Sequence, residues 1–160
     1  MCNISLIELC LSHIALAKWE TLKIKNFALL AGTAGLLAAC GGSSNISVPE
    51  DLNNQRVFFA FNSAEISDSA RDNLLGQALY MKANEDVKVQ IAGNCDERGS
   101  TEYNLALGAR RANAAKQVIV NEGVSAKRIS TISYGKERPL VKGTGEDVWK
   151  FNRNATTTVK

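Results

Sequence analysis

VKVQIAGNCDERGSTEYNLALGARRANAAKQVI, residues 87–119, changes its hydrophobic period once, and that change decides the fold. Val87, Val89 and Ile91 alternate with Lys88 and Gln90, the two-residue period of a half-buried strand. Residues 93–100 are small or polar and read as a loop. After Gly99, Ser100 or Thr101 can cap a long helix that carries Leu105, Ala112, Ala115 and Ile119 toward a core. Gly123 stands where a left-handed helix end is wanted. A junction of strand, polar loop and helix brings free N–H groups and the positive end of the helix dipole to one place, which favours an anion.

Upstream, residues 56–61 (RVFFAF), ended by Asn62 and Ser63, read as a first strand. From Ser67 the period becomes helical: Ser67 or Asp68 can cap a helix whose Leu74, Ala78 and Met81, with Leu75 and Leu79 beside them, form one apolar stripe. Downstream, residues 128–134 alternate as a third strand, and Gly135 and Pro139 mark a loop running to about Gly145. A short helix at 146–152 follows, and the threonine-rich residues 155–159 read as a fourth strand at or near an edge. The order β-α-β-α-β(-α-β) predicts an α/β two-layer sandwich with right-handed crossovers and helices packed over one sheet. Phe58, Phe59 and Phe61 read as core and sheet-face residues, Trp149 as packing the short helix, and Arg110 as a solvated partner for a helix carboxylate.

A chain of 160 residues, 45% hydrophobic and 22% charged, has room for one ordinary domain. Its formal charge of +3 is too mild and too evenly spread for a nucleic-acid stripe. Residues 23–40, KIKNFALLAGTAGLLAAC, set two lysines before a short apolar run and small residues, the layout of a secretory signal. The ending LAAC resembles a bacterial lipobox, which implies cleavage after residue 39 and lipidation of Cys40. Residues 1–22, interrupted by Glu8, His13 and Glu20, do not fit that plan and read as a mis-called start, with initiation near Leu22. Residues 41–55, rich in Gly, Ser and Asn, read with Cys40 as a flexible tether with an r.m.s. span of roughly 20 Å. Residues 56–160 are then the folded domain. The mature chain expected from this processing has no histidine, which argues against a His general base, a Cys-His nucleophile or a His-ligated zinc. Cys95 is left alone, so no disulfide framework exists.

Asp96 lies in the loop, and Arg111 fifteen positions later, about three turns into the helix. A carboxylate and a guanidinium at such a junction can neutralise each other, or can grip a zwitterion, the arginine taking a carboxylate and the aspartate an ammonium. Composition leaves both open.

The segment DERGSTEYNLALGARRANA, with GVSAKRIS and SYGKERP after it, closely resembles the signature of OmpA-like peptidoglycan-binding domains, the peptidoglycan-associated lipoproteins among them. The resemblance runs from Val57 to about Ala155. It implies an OmpA-like domain that is not an enzyme, needs no cofactor or metal, and holds diaminopimelate of the peptidoglycan stem peptide. Arg111 would bind its carboxylate and Asp96 its ammonium, with Asn94 and Gly99 among the supporting loop residues. Asn104 would brace the loop and Arg153 would border the pocket. The resemblance further implies a lipid-anchored protein of the outer membrane with its domain facing the periplasm, Gly41 in place of Asp resembling outer-membrane sorting. TolB and the Tol system are the implied partners, in envelope integrity and cell division; the alternative is an OmpA-like wall-binding lipoprotein outside that system. A wall hydrolase is a third reading, which the missing histidines disfavour.

Three departures from the family pattern stand out. Asn94 and Cys95 replace the usual His and Thr or Ala before the aspartate, Asn154 replaces a second arginine, and the last strand is threonine-rich instead of apolar. Asn can make some hydrogen bonds of His, and Cys is a small apolar substitute for Thr or Ala. On this reading Arg111→Ala costs about 2 to 5 kcal/mol of wall-peptide binding and leaves the fold intact.

Overall fold

The computed structural model describes residues 46–160. The signal segment, Cys40 and the first part of the tether lie outside the described residues. Strands β1 (Gln55–Phe58), β2 (Val89–Asn94), β3 (Ile129–Gly135) and β4 (Asn154–Val159) form one sheet, and helices α1 (Asp68–Ala83), α2 (Thr101–Asn121) and α3 (Glu146–Asn152) connect them. The fold is the α/β arrangement expected, with strand order β1-β4-β2-β3. β2 and β3 are parallel neighbours joined through α2, while β4 runs antiparallel between β1 and β2.

The helix starts are set by caps. The Ser67 side chain accepts from Ala70 N and that of Ser100 from Tyr103 N, each satisfying an N–H that the first turn leaves free. Leu74, Ala78 and Met81 of α1, and Ala112, Ala115 and Ile119 of α2, meet Val57, Val89, Ile91 and Ala155 in one buried core. Gly123 ends α2 with φ of 93°.

β4 lies next to the edge strand β1 and is paired on both sides, and that position explains its threonines: Thr157 is 1% exposed and donates to Gln77 Oε1 of α1 at 2.8 Å, a satisfied buried polar pair. Several expectations are corrected. Leu79 and Leu105, assigned to core stripes, are 42% and 40% exposed; Leu107 takes the buried place on α2. The first strand ends at Phe58, which is exposed with its ring 6.4 Å from that of Phe151; Phe59 is buried just beyond the strand, and Phe61 is exposed. The tether is shorter than expected, because Leu52 is fully buried and Asn53 Oδ1 accepts from Val159 N.

Two glycines bring α2 down onto the sheet. A Cβ on Gly93 of β2 would collide with the carbonyl of Gly108, and one on Gly108 with Ser133 Oγ of β3. Their bare backbones set Arg111, one turn further along α2, over the end of β2. At Gly93/Asn94 the register with β3 slips, and Cys95 N donates to Gly135 O at 2.7 Å where the strand leaves the sheet.

Candidate functional site

The loop between β2 and α2 folds back over the start of α2. Gly99 holds φ of 91°, a conformation that L side chains rarely adopt. Asn104, 2% exposed, donates its side-chain amide to Arg98 O at 2.8 Å and so ties the loop to the helix. Trp149 of α3 donates Nε1 to Glu97 Oε1 at 3.0 Å and holds the loop from the other side.

A cavity of about 210 Å³ opens here, lined among others by Phe61, Asp96, Arg98, Tyr103, Asn104 and Arg111. Asp96 and Arg111 both face it and do not pair with each other; the ion-pair partners of Asp96 are Arg98, at 2.5 Å, and Arg153, at 3.5 Å. Burial pushes the Asp96 carboxyl up, but hydrogen bonds from the Arg98 side chain and backbone and from Arg153 outweigh it and hold it below its usual range.

Arg111 is 1% exposed and ties three segments together. Its Nε donates to Ser63 O at 2.8 Å, one terminal nitrogen to Asn94 O at 2.8 Å and to Cys95 Sγ at 3.5 Å, and the other to Ala60 O at 3.1 Å. Of the five N–H groups of a guanidinium, that leaves one for the cavity. A two-pronged grip on a carboxylate is therefore not available from this geometry, and Arg111 would meet an anion with one N–H and its charge. Burial lowers its pKa, against the pull of Cys95 and Asp96; a guanidinium remains charged all the same.

Arg153, 6% exposed, donates to Phe59 O at 3.1 Å and to Glu146 at 2.6 Å besides reaching Asp96. Asn94 supports the site through its backbone carbonyl. Its side chain faces the other side of the sheet and donates to Asn154 Oδ1 at 2.8 Å. Two of the departures from the family pattern are thus each other's partner across β2 and β4. Cys95 is buried and its thiol is pushed up by burial, with Arg111 working in the opposite direction, which leaves a poor nucleophile. Arg110 is exposed and lies over the Tyr103 ring at 6.0 Å, without a carboxylate partner among the described residues. Among the described residues no group of three metal-ligating side chains stands together.

Arg98 is the residue that sequence reasoning missed. Its guanidinium lies between the rings of Phe61, at 3.9 Å, and Trp149, at 4.2 Å. The signal was present as an arginine within the motif with aromatic residues far away in sequence, but nothing local joins positions 61, 98 and 149.

This sheet order, with the site at the junction of β2 and α2, is that of an OmpA-like domain. The structure superposes on the peptidoglycan-associated lipoprotein from Burkholderia pseudomallei with a TM-score of 0.65 and 37% identity, over 66% of this chain and 90% of that one. The C-terminal domain of Helicobacter pylori MotB shares the fold at 19% identity, with a TM-score of 0.62 over 66% and 83% of the two chains. The OmpA family model matches residues 58–153. The peptidoglycan-associated lipoprotein of Mesorhizobium japonicum is 39% identical over 91% of this chain and 86% of its own, and that of Pasteurella multocida 39% over 83% and 96%. The chain belongs to the OmpA family and, within it, to the peptidoglycan-associated lipoproteins.

Proposed function

We infer that this protein is a lipid-anchored envelope protein that binds peptidoglycan non-covalently, and is not an enzyme. The finer reading is that it holds diaminopimelate of the stem peptide in the cavity between Asp96 and Arg111. The observation that carries it is that these two opposite charges line one cavity without neutralising each other. The ammonium of an amino-acid zwitterion then faces Asp96. Its carboxylate faces the free N–H of Arg111 and the N–H groups of the loop at the start of α2. Asn104 and Gly99 hold the loop in shape, and Arg153 fixes Asp96 from behind.

Acylation at Cys40 would anchor the chain in the outer membrane, with the domain facing the periplasm. The likeness to peptidoglycan-associated lipoproteins also supports TolB and the Tol system as partners in envelope integrity and cell division. Co-sedimentation with diaminopimelate-containing sacculi tests the central reading: the wild type should pellet, free diaminopimelate should release it, and Asp96→Asn should stay in solution. Unchanged pelleting of Asp96→Asn would remove the site. For the partner, a periplasmic pull-down that recovers wall fragments and never TolB would count against the Tol reading.

A further inference from the structure

A carboxylate has about four lone-pair positions, and those of Asp96 are engaged. Oδ1 accepts from Arg98 N at 3.2 Å and from Arg98 Nε at 3.3 Å; Oδ2 accepts from the Arg98 Nη2 at 2.5 Å and faces Arg153 Nη1 at 3.5 Å. An arriving ammonium finds no vacant acceptor, so one of the two guanidinium groups has to yield.

They are not equally fixed. The Arg153 side chain is 8% exposed and is bound to a backbone carbonyl, Phe59 O, as well as to Glu146. The Arg98 side chain is 31% exposed, and among the described residues its guanidinium has only carboxylates and ring faces as partners: Asp96, Glu146 Oε2 at 3.6 Å, and the rings of Phe61 and Trp149. A planar cation between two rings can slide in its own plane and keep much of its stacking. Glu146, 61% exposed at its side chain, is the second carboxylate along that slot. Hydrogen bonding to Arg153 holds Glu146 low and therefore ionised.

We propose that Arg98 is an exchangeable internal ligand of Asp96, holding the ammonium seat while the site is empty and yielding it, by sliding within the Phe61–Trp149 slot toward Glu146, to a ligand that carries both an ammonium and a carboxylate. This rests on the reading of Asp96 and Arg111 given above. The exchange makes Arg98 a specificity-determining residue. A simple cation must displace Arg98 and gains only Asp96 in return, whereas a zwitterion also gains Arg111 and the loop N–H groups.

Calorimetry of the full chain in detergent, with diaminopimelate and with 1,5-diaminopentane as probes, tests this in wild type and Arg98→Gln. The variant is expected to bind diaminopimelate about tenfold more tightly, because the competing state is removed, and to acquire binding of the diamine, which the wild type should not show. A purely structural or ligand-contacting Arg98 would weaken binding instead. Equal or weaker diaminopimelate binding by a folded Arg98→Gln, with the wild type still binding, overturns the exchange and leaves the site reading standing. No binding of diaminopimelate by the wild type overturns both. A second readout does not depend on the variant folding. In the chain that begins at Cys40 after the expected cleavage, Trp149 is the one tryptophan; diaminopimelate should change its emission as Arg98 slides across it, and a saturated site with unchanged emission overturns the proposal.

Discussion

Replacing Arg111 by alanine takes a donor from three backbone carbonyls, those of Ala60, Ser63 and Asn94, of which Ala60 O keeps the N–H of Ser63 at 3.3 Å. A buried acceptor left without a donor costs about 1–3 kcal/mol. The Asn94 bond is fully buried, and those of Ser63 and Ala60 are partly so, next to a cavity from which water can enter. The lower end of the range therefore applies to Ser63, Ala60 O still has its backbone donor, and the sum is about 2–4 kcal/mol. Against a typical domain stability of about 5–15 kcal/mol that is a large fraction, and it corresponds to a fall in Tm of roughly 8–16 °C. The sequence-based expectation that the fold survives this change untouched is thereby revised. Urea unfolding followed by circular dichroism gives the number, with Arg111→Lys, which keeps the charge but not the fork, expected close to alanine. A melting temperature for Arg111→Ala within about 2 °C of wild type would refute the role of the guanidinium as a tie between the post-β1 loop and the end of β2. Loss of wall binding in that variant says nothing about ligand contact until its folding has been measured.

Asp96 fixes the pH response. Its carboxyl is held below the usual range in the folded protein, so its contribution to stability is present above the unfolded pKa, about 3.9, and is lost as pH falls through the folded value. Sacculus binding should accordingly be flat between about pH 5 and 8 and fall only below about pH 4, as pelleting across a pH series would show. Gly93→Ala places a methyl against the carbonyl of Gly108, on backbone that cannot swing aside, and should destabilise by at least about 3 kcal/mol or abolish soluble expression. Thr157→Val strands Gln77 Oε1 and should cost about 1–3 kcal/mol in urea unfolding, much of it recovered in the double variant with Gln77→Leu.

The sequence by itself determined the elements and their kind. The periods of residues 87–119 set β2 and α2, Ser67 and Ser100 set the helix starts, and the short helix runs over the residues read for it, 146–152. These are local properties, carried by spacing and by side chains that bond within three residues of themselves. The tertiary structure decided what spacing does not encode. It placed the threonine strand between β1 and β2, where the pairing of Thr157 with Gln77 across 80 positions makes a buried hydroxyl acceptable. It gave the donors of Arg111 to carbonyls 17 to 51 residues away, joined Asn94 to Asn154, and put Arg98 between two rings on the carboxylate that the motif had seemed to leave open. A carboxylate or a guanidinium in a motif states its charge; which partner satisfies that charge depends on groups that only folding brings within 3 Å or so of it.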